Sequence, residues 1–405
     1  MLLSCQKNSY LKELEADVVS CESSQFKIDK KKVQGYEVVL SDTVLFPEGG
    51  GQPDDRGRIG DVPVLRVEWR HDKAIHFTEQ RVEVGARVHV VVDWVRRFDH
   101  MQQHTGQHLI TAVADGEYGY QTTSWVILEA HASGASIDLR HTPSRVAGPQ
   151  EQVVHLEDLI NEHIMKSVTV TVVRARGLPD GHVGPIRVIS IDGIDCNMCG
   201  GTHLSNLSHL QTIKLLGVEK GKKGKTNLLF VAGERVRKYL AKCVTREKQL
   251  TSILKAGPDQ HAELTDKLQK SLRLATRNSL SLLRDVAVLE AQRHLRSGDQ
   301  TTRLFSLHRK EGDVEFMNIV ANEISEQNKD TLMFLTVGDE KESGFFLLSG
   351  PQEAVSSLGS SVCTALEGKG AGKAGRFQGK AGKLSKRGEA LRIIEEYMRQ
   401  TQAEK

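Results

Sequence analysis

His104-Thr-Gly-Gln-His108 is answered about ninety residues later by Cys199-Gly-Gly-Thr-His203. Histidines four residues apart on a helix leave the same face. Cys199 and His203 bracket Gly200, Gly201 and Thr202, a turn loose enough to bring a thiolate and an imidazole around one ion. Four borderline-soft donors of this kind select zinc. A chain that uses them together must fold a helix and a distant turn into one core.

Neighbouring residues leave some roles open. His100 lies one turn before His104 and could replace His108 as a ligand or stand behind the ligands. Cys196-x-x-Cys199 resembles half of a zinc ribbon, but the other half is missing. A metalloprotease helix needs H-E-x-x-H, with the glutamate as general base. Thr105 occupies that position, which removes the protease reading.

The segments around these motifs change period along the chain. Residues 18–92 carry short β-branched or aromatic runs at 18–19, 36–40, 62–67 and 87–92, interrupted by the glycine-rich loop 47–57. A small barrel or sandwich fits them. The sequence Gly49-Gly50-Gly51-Gln52 matches no phosphate-binding fingerprint, and reads equally as a tight turn or as bare backbone that approaches a ligand. From Asp93, a predicted N-cap, Val95, Phe98, Met101, Leu109, Ile110 and Val113 recur at helical spacing, with Gly116 as the predicted stop. A helix at 156–165 follows, then strands at 168–173, 186–191, 210–216 and 228–232.

Residues 234–297 read as helix broken at Gly257-Pro258, an antiparallel hairpin with Leu264, Leu268, Leu272, Leu280, Leu283, Val286 and Leu289 as its stripe. That stripe suits a spacer or a surface through which copies of the chain pair as a homo-oligomer. Strands at 331–337 and 344–348, a helical start at 353–358 and an amphipathic helix from Lys386 complete the chain. The fold class is therefore α/β (α+β) and multidomain.

The formal charge is only +3, but it is unevenly spread. Lys220, Lys222, Lys223 and Lys225 share one loop, and residues 369–387 hold seven basic side chains and no acid, among them Lys369, Lys373, Arg376, Lys380 and Lys383. Two basic, glycine-rich segments suit either a polyanion or solvent. No apolar run approaches a membrane span. The acidic, weakly apolar start fits neither a signal peptide nor a mitochondrial presequence, and the scattered cysteines suit a reducing compartment, so the expected location is cytoplasmic.

Three motifs in order carry a family resemblance: Phe46-Pro-Glu-Gly-Gly-Gly-Gln-Pro-x-Asp-x-Gly57, His104-x-x-x-His108 and Cys199-Gly-Gly-Thr-His203. Together they resemble the editing domain of alanyl-tRNA synthetase. More closely they resemble the free-standing alanyl-tRNA editing proteins, the AlaX family, in their long form with a C-terminal extension. Threonyl-tRNA synthetase editing domains share the ligand pairs but not the Gly-Gly-Thr filling.

The resemblance implies a barrel-like N-terminal domain (1–92), a zinc-dependent α/β editing domain (93–233), a helical linker (234–297) and a C-terminal α/β domain (298–405). It implies one Zn2+ per chain on His104, His108, Cys199 and His203. The implied activity is trans-acting hydrolysis of Ser-tRNA(Ala), with Gly-tRNA(Ala) a second candidate and no amino-acid activation. Thr43 matches the family's hydroxyl-recognising threonine, and Gly49, Gly50, Gly51 and Gln52 are placed at the substrate. Lys220, Lys222, Lys223, Lys225, Lys369, Lys373, Arg376, Lys380 and Lys383 become tRNA contacts. The alternative is a non-catalytic RNA-binding protein stabilised by zinc.

Such chemistry answers a real selectivity problem. A pocket that accepts alanine rejects serine weakly, whereas a second site built to hydrogen-bond the extra hydroxyl discriminates well. Four side-chain ligands would close the shell that catalytic zinc usually leaves open, with His203 the first candidate for a loose ligand.

Overall fold

The computed structural model describes residues 2–28, 31–127, 135–140, 149–175, 186–220, 226–297 and 303–403. Lys222, Lys223 and Lys225 fall outside the described residues. Two compact units divide the chain, Met1–Gln249 and Leu250–Lys405.

The first unit opens with a single helical turn, α1 (Ser4–Lys7), and six strands: β1 (Glu13–Ile28), β2 (Lys31–Leu40), β3 (Gly57–Ile59), β4 (Val62–Arg70), β5 (Lys73–Thr78) and β6 (Arg87–Val92). The sheet runs β1-β2-β5-β4-β3-β6 and closes through antiparallel pairing of β6 with β1. Val38, Val64, Val67 and Val90 are buried in its core; on β4 an irregularity between Val64 and Arg66 breaks the period of two and brings both Val64 and Val67 inside. Val18 and Val19 are a small part of β1, whose sixteen residues include polar positions that mask most of the strand in the sequence.

Helix α2 (Trp94–Tyr118) follows, and Asp93 caps it by accepting from the Val95 and Arg96 amides. The stop differs from the sequence expectation. Gly116 lies inside the helix, and Gly119, at φ +69°, ends it. Val95 is 73% exposed, whereas every residue from His100 to Ile110 is buried. A polar helix can run through a core only if its side chains are satisfied. Gln103 donates to the Ala232 carbonyl and accepts from the Ala232 amide, while Gln102 does the same with His209 and Glu234.

Around α2 pack β7 (Gln121–Ile127), β8 (Ala135–Arg140), α3 (Pro149–Met165), β9 (Val170–Ala175), β10 (Ile186–Ile191), β11 (Asp195–Met198), β12 (Ile213–Lys220), β13 (Thr226–Ala232) and the start of α4 (Glu234–Leu254). They form sheets of order β12-β13-β8-β7 and β11-β10-β9. The short β11, Asp-Cys-Asn-Met, carries no strand pattern of its own in the sequence. It pairs with β10, Ile191 opposite Asp195, and delivers the chain directly to Cys199.

In the second unit, α5 (His261–Arg296) begins after the Gly257-Pro258 break. The expected stripe is mostly bare: Leu268, Leu272, Leu280 and Leu289 are exposed, and only the last third, with Leu283, Val286, Ala287 and Ala291, joins a core. The remaining elements are β14 (Leu304–Arg309), α6 (Val314–Gln327), β15 (Leu332–Val337), β16 (Gly344–Ser349), α7 (Gln352–Ala365), β17 (Lys369–Lys373), β18 (Arg376–Ala381) and α8 (Arg387–Ala403). Their sheet runs β14-β15-β16-β18-β17, with β14 and β15 parallel. Strand β15 is buried along its whole length, as a strand covered on both faces must be. Met333, Leu335 and Val337 meet α5 and α6, whereas Leu332 and Phe334 meet α7 and α8.

The Gly/Lys-rich segment is thus a β-hairpin at the sheet edge rather than a loop. Gly370 and Gly372 of the hairpin, with Gly359 of α7, make room for one ring: a Cβ at any of them would stand within 3 Å of Phe377.

One buried ion pair ties the barrel to α2. Arg97 and Asp55 are both 0% exposed. The Arg97 Nε donates to both Asp55 oxygens at 3.1 and 2.9 Å, and Nη1 donates to the Ser9 carbonyl at 3.1 Å. Removing one partner of such a pair strands the other charge. Asp55→Asn is expected to lower stability by about 3–5 kcal/mol. All three tryptophans, Trp69, Trp94 and Trp125, lie in the first unit, so their fluorescence in a urea titration reads that unit. A loss below about 1 kcal/mol would show that the pair is not the joint described.

Candidate metal centre

Helix spacing delivers the first two donors and the β10–β11 hairpin delivers the others. His104, His108, Cys199 and His203 gather with all four donor atoms within 4.8 Å of one another. Cys199 Sγ lies 3.3 Å from His104 Nε2 and 3.2 Å from His203 Nε2. Ligands on tetrahedral zinc, bound at about 2.0–2.3 Å, stand about 3.3–3.8 Å apart, so the donor set and spacing fit that ion. His100 is outside this group; it is buried among Arg96, Arg97 and Arg235, with its Nδ1 unpaired. Cys196 is exposed on β11 and also stands apart.

Each histidine presents Nε2 because its other nitrogen is occupied. His104 Nδ1 donates to Gln52 Oε1 at 2.8 Å, His108 Nδ1 meets Asp195 Oδ2 at 3.2 Å, and His203 Nδ1 meets Thr105 Oγ1 at 3.3 Å. Such outer contacts fix the tautomer and the ring orientation of metal-binding histidines. Thr105, which replaces the protease glutamate, therefore serves as a positioning residue, and it also accepts from the Leu204 amide.

Gln52 makes the glycine-rich loop part of the centre. It is fully buried; its Oε1 also accepts from the Thr202 amide at 3.0 Å, and its Nε2 donates to Thr202 Oγ1 at 2.8 Å. The three sequence motifs thus meet at one carboxamide. Gly201 is fixed by the same contact, since a Cβ there would lie 2.2 Å from His104 Cε1. An N-terminal strap, Gln6 to Ser9, backs the turn. Gln6 Nε2 donates to the Gly200 carbonyl, Ser9 Oγ accepts from the His203 amide, and Arg187 donates to the carbonyls of Gln6 and Cys199. Its residue types carry no pattern that would have exposed it.

Protonation prepares three of the four donors. Burial disfavours a thiolate, but the imidazoles of His104, His108 and His203 outweigh it and bring the Cys199 thiol down to about 2. Burial pushes His104 and His203 down, leaving them neutral. Burial also pulls on His108, yet the Asp195 carboxylate and the Cys199 thiolate raise it to about 9.

A cavity of about 310 Å³ opens beside the donors, lined by His104, His108 and Cys199 together with Gln107, Thr111 and Trp125. Gly50 lines it too, and with Gly49, Gly51 and Gln52 it also borders a larger cleft of about 770 Å³ that holds Trp69. The Gly49 amide is taken by the Gln52 carbonyl. Thr43 lies elsewhere. It is 1% exposed, its hydroxyl donates to His76 Nε2 at 2.9 Å and accepts from the Leu45 amide, and it lines neither space.

The family described as the threonyl and alanyl tRNA synthetase second additional domain matches residues 186–228, which span β10 to the start of β13. The alanyl-tRNA editing protein Aarsd1-B of Xenopus laevis is 53% identical over 98% of this chain and 97% of its own. Aarsd1 of Mus musculus is 52% identical over the full length of both. This chain belongs to the alanyl-tRNA editing protein family. A putative member of these editing proteins in Saccharomyces cerevisiae, alaX, is 29% identical over 95% of the chain. Membership supports a part in tRNA editing during translation quality control. Among the described residues no helix is long and apolar enough to cross a membrane.

The protonation pattern makes a measurable demand on this editing protein. A metal must displace the proton on His108, because both ring nitrogens of an imidazolium are occupied. Below pH 9 the free site carries that proton, so apparent zinc affinity should fall about tenfold for each pH unit lowered between 8 and 7. Competition against a chromophoric chelator reads this directly. Affinity flat across that range would show that His108 is already neutral or is not a ligand.

Proposed function

We propose that the protein is a trans-acting, zinc-dependent deacylase that hydrolyses the ester of serine mischarged on tRNA(Ala), with glycine as a second candidate, in the cytoplasm. Four preorganised donors beside a cavity of about 310 Å³ carry this reading. Zinc bound there would polarise the ester carbonyl or lower a bound water toward a pKa of about 7. Water adds to the carbonyl carbon, the bond to the terminal ribose oxygen breaks, and serine and tRNA leave with a proton restored to the ribose hydroxyl.

The chain's own residues hold and select the substrate. Trp125 packs against His104 with the rings tilted by 35° and their centroids 4.5 Å apart, and walls the cavity with an apolar surface. Gln107 and Thr111 face the cavity, hydrogen-bonded to each other at 2.9 Å, and offer partners for a hydroxyl. Thr43 reaches a substrate hydroxyl only by exchanging its bond to His76, and otherwise acts by shaping the start of the loop that carries Gln52.

The tRNA body is assigned to the edge hairpin of the second unit. Lys369 pairs across from Lys380, and Lys373 across from Arg376. Like charges directly opposite are unfavourable, so this arrangement suits a polyanion rather than the free sheet. The opposite face of the hairpin carries Phe377 among the glycines. Lys383 is exposed beside this hairpin, ion-paired to Glu367, and Lys220 is exposed at the end of β12. Lys222, Lys223 and Lys225, outside the described residues, remain in this assignment on sequence alone.

The test compares Ser-tRNA(Ala) with Ala-tRNA(Ala) in wild type and Cys199→Ala. Serine release should exceed the buffer control, alanine release should not, and the variant should lose more than about 100-fold, beyond the 10–100-fold typical of an outer-shell partner. Serine release equal to buffer would leave the non-catalytic RNA-binding reading in its place.

A further inference from the structure

The deacylase reading leaves one feature of the substrate without a partner. An aminoacyl ester carries its α-ammonium on the carbon next to the carbonyl under attack. A dication held by a single thiolate keeps a net positive charge, so an ammonium one atom from the reacting centre is repelled unless a carboxylate stands beside it. Among the described residues that line the 310 Å³ cavity, Asp195 is the one carboxylate.

Its setting is built. Asp195 sits at the start of β11, paired with Ile191, and its side chain is 10% exposed. Oδ2 meets His108 Nδ1 at 3.2 Å, and Oδ1 accepts from Asn197 Nδ2 at 2.6 Å. A carboxylate accepts about four hydrogen bonds, so each oxygen keeps room for another donor. Trp125 and Met198, on the cavity wall, offer an ammonium no counter-charge.

We propose that the Asp195 carboxylate binds the α-ammonium of the substrate and restricts the site to aminoacyl esters with a free amine. An N-acylated or peptidyl ester would bring a neutral amide to that position and leave the carboxylate without its ligand. Asp195 thereby joins two tasks, orienting the His108 ring and selecting the charge state of the substrate's nitrogen.

The probes are 3′-seryl-amido-3′-deoxyadenosine, which does not hydrolyse, and its N-acetyl form, titrated calorimetrically into zinc-loaded full-length protein. Wild type should bind the free amine at least about tenfold more tightly than the acetylated probe. In Asp195→Asn the two affinities should come within about threefold, and Asp195→Glu should restore part of the preference. Zinc content is measured in each protein and the ratios are compared at equal loading, because lost zinc would relieve the repulsion on the free amine alone. Equal binding of the two probes by wild type overturns the proposal, as does a ratio unchanged in Asp195→Asn. Ser-tRNA(Ala) deacylation measured alongside separates the two claims. Turnover with a ratio of one removes only the role of Asp195, whereas a preserved ratio without turnover keeps that role and removes the deacylase.

Discussion

The carboxamide of Gln52 is the point on which the centre turns. Fully buried, it must place its oxygen and nitrogen where partners exist, and both sets of partners come from other segments: His104 on α2 and Thr202 in the turn after β11. A buried polar group left unsatisfied costs about 1–3 kcal/mol, so loop, helix and turn are held to one relative arrangement. That requirement explains why a glycine-rich loop belongs with two ligand pairs to which it contributes no donor.

Around this joint the fold supplies rigidity in layers. The Arg97–Asp55 pair fixes the base of α2 to the barrel and to the N-terminal strap. The strap, through Gln6 and Ser9, then holds the backbone on either side of Thr202. Gln102 and Gln103 anchor the other flank of α2 at His209 and at the end of β13. The four candidate donors therefore sit on elements that are tied to one another by buried hydrogen bonds, the kind of support a precise site needs.

Much of this was legible in the chain. Helical spacing put His104 and His108 on one face, and Asp93 capped their helix as its residue type predicts. Other features were not legible, for physical reasons. Gly116 is an ordinary helix stop by residue type, but nothing lies within 4 Å of the position of its Cβ, and the helix tolerates it until Gly119 adopts a left-handed backbone. Strand β14, Leu-Phe-Ser-Leu-His-Arg, gains its identity only from parallel pairing with β15. The glycines of residues 369–381 suggest a loop until Phe377 is seen to need their missing side chains. Asp195 and Gln6 act through contacts 87 and 194 residues away in sequence, which no local pattern encodes.

On the reading proposed above, the Cys199 thiolate and imidazoles from two distant motifs bind one metal ion. X-ray absorption at the zinc edge of the metal-loaded protein reads that shell. One sulfur at about 2.3 Å and nitrogen neighbours at about 2.0–2.1 Å are expected around each zinc. A first shell without sulfur, or one built of oxygen alone, would contradict that reading.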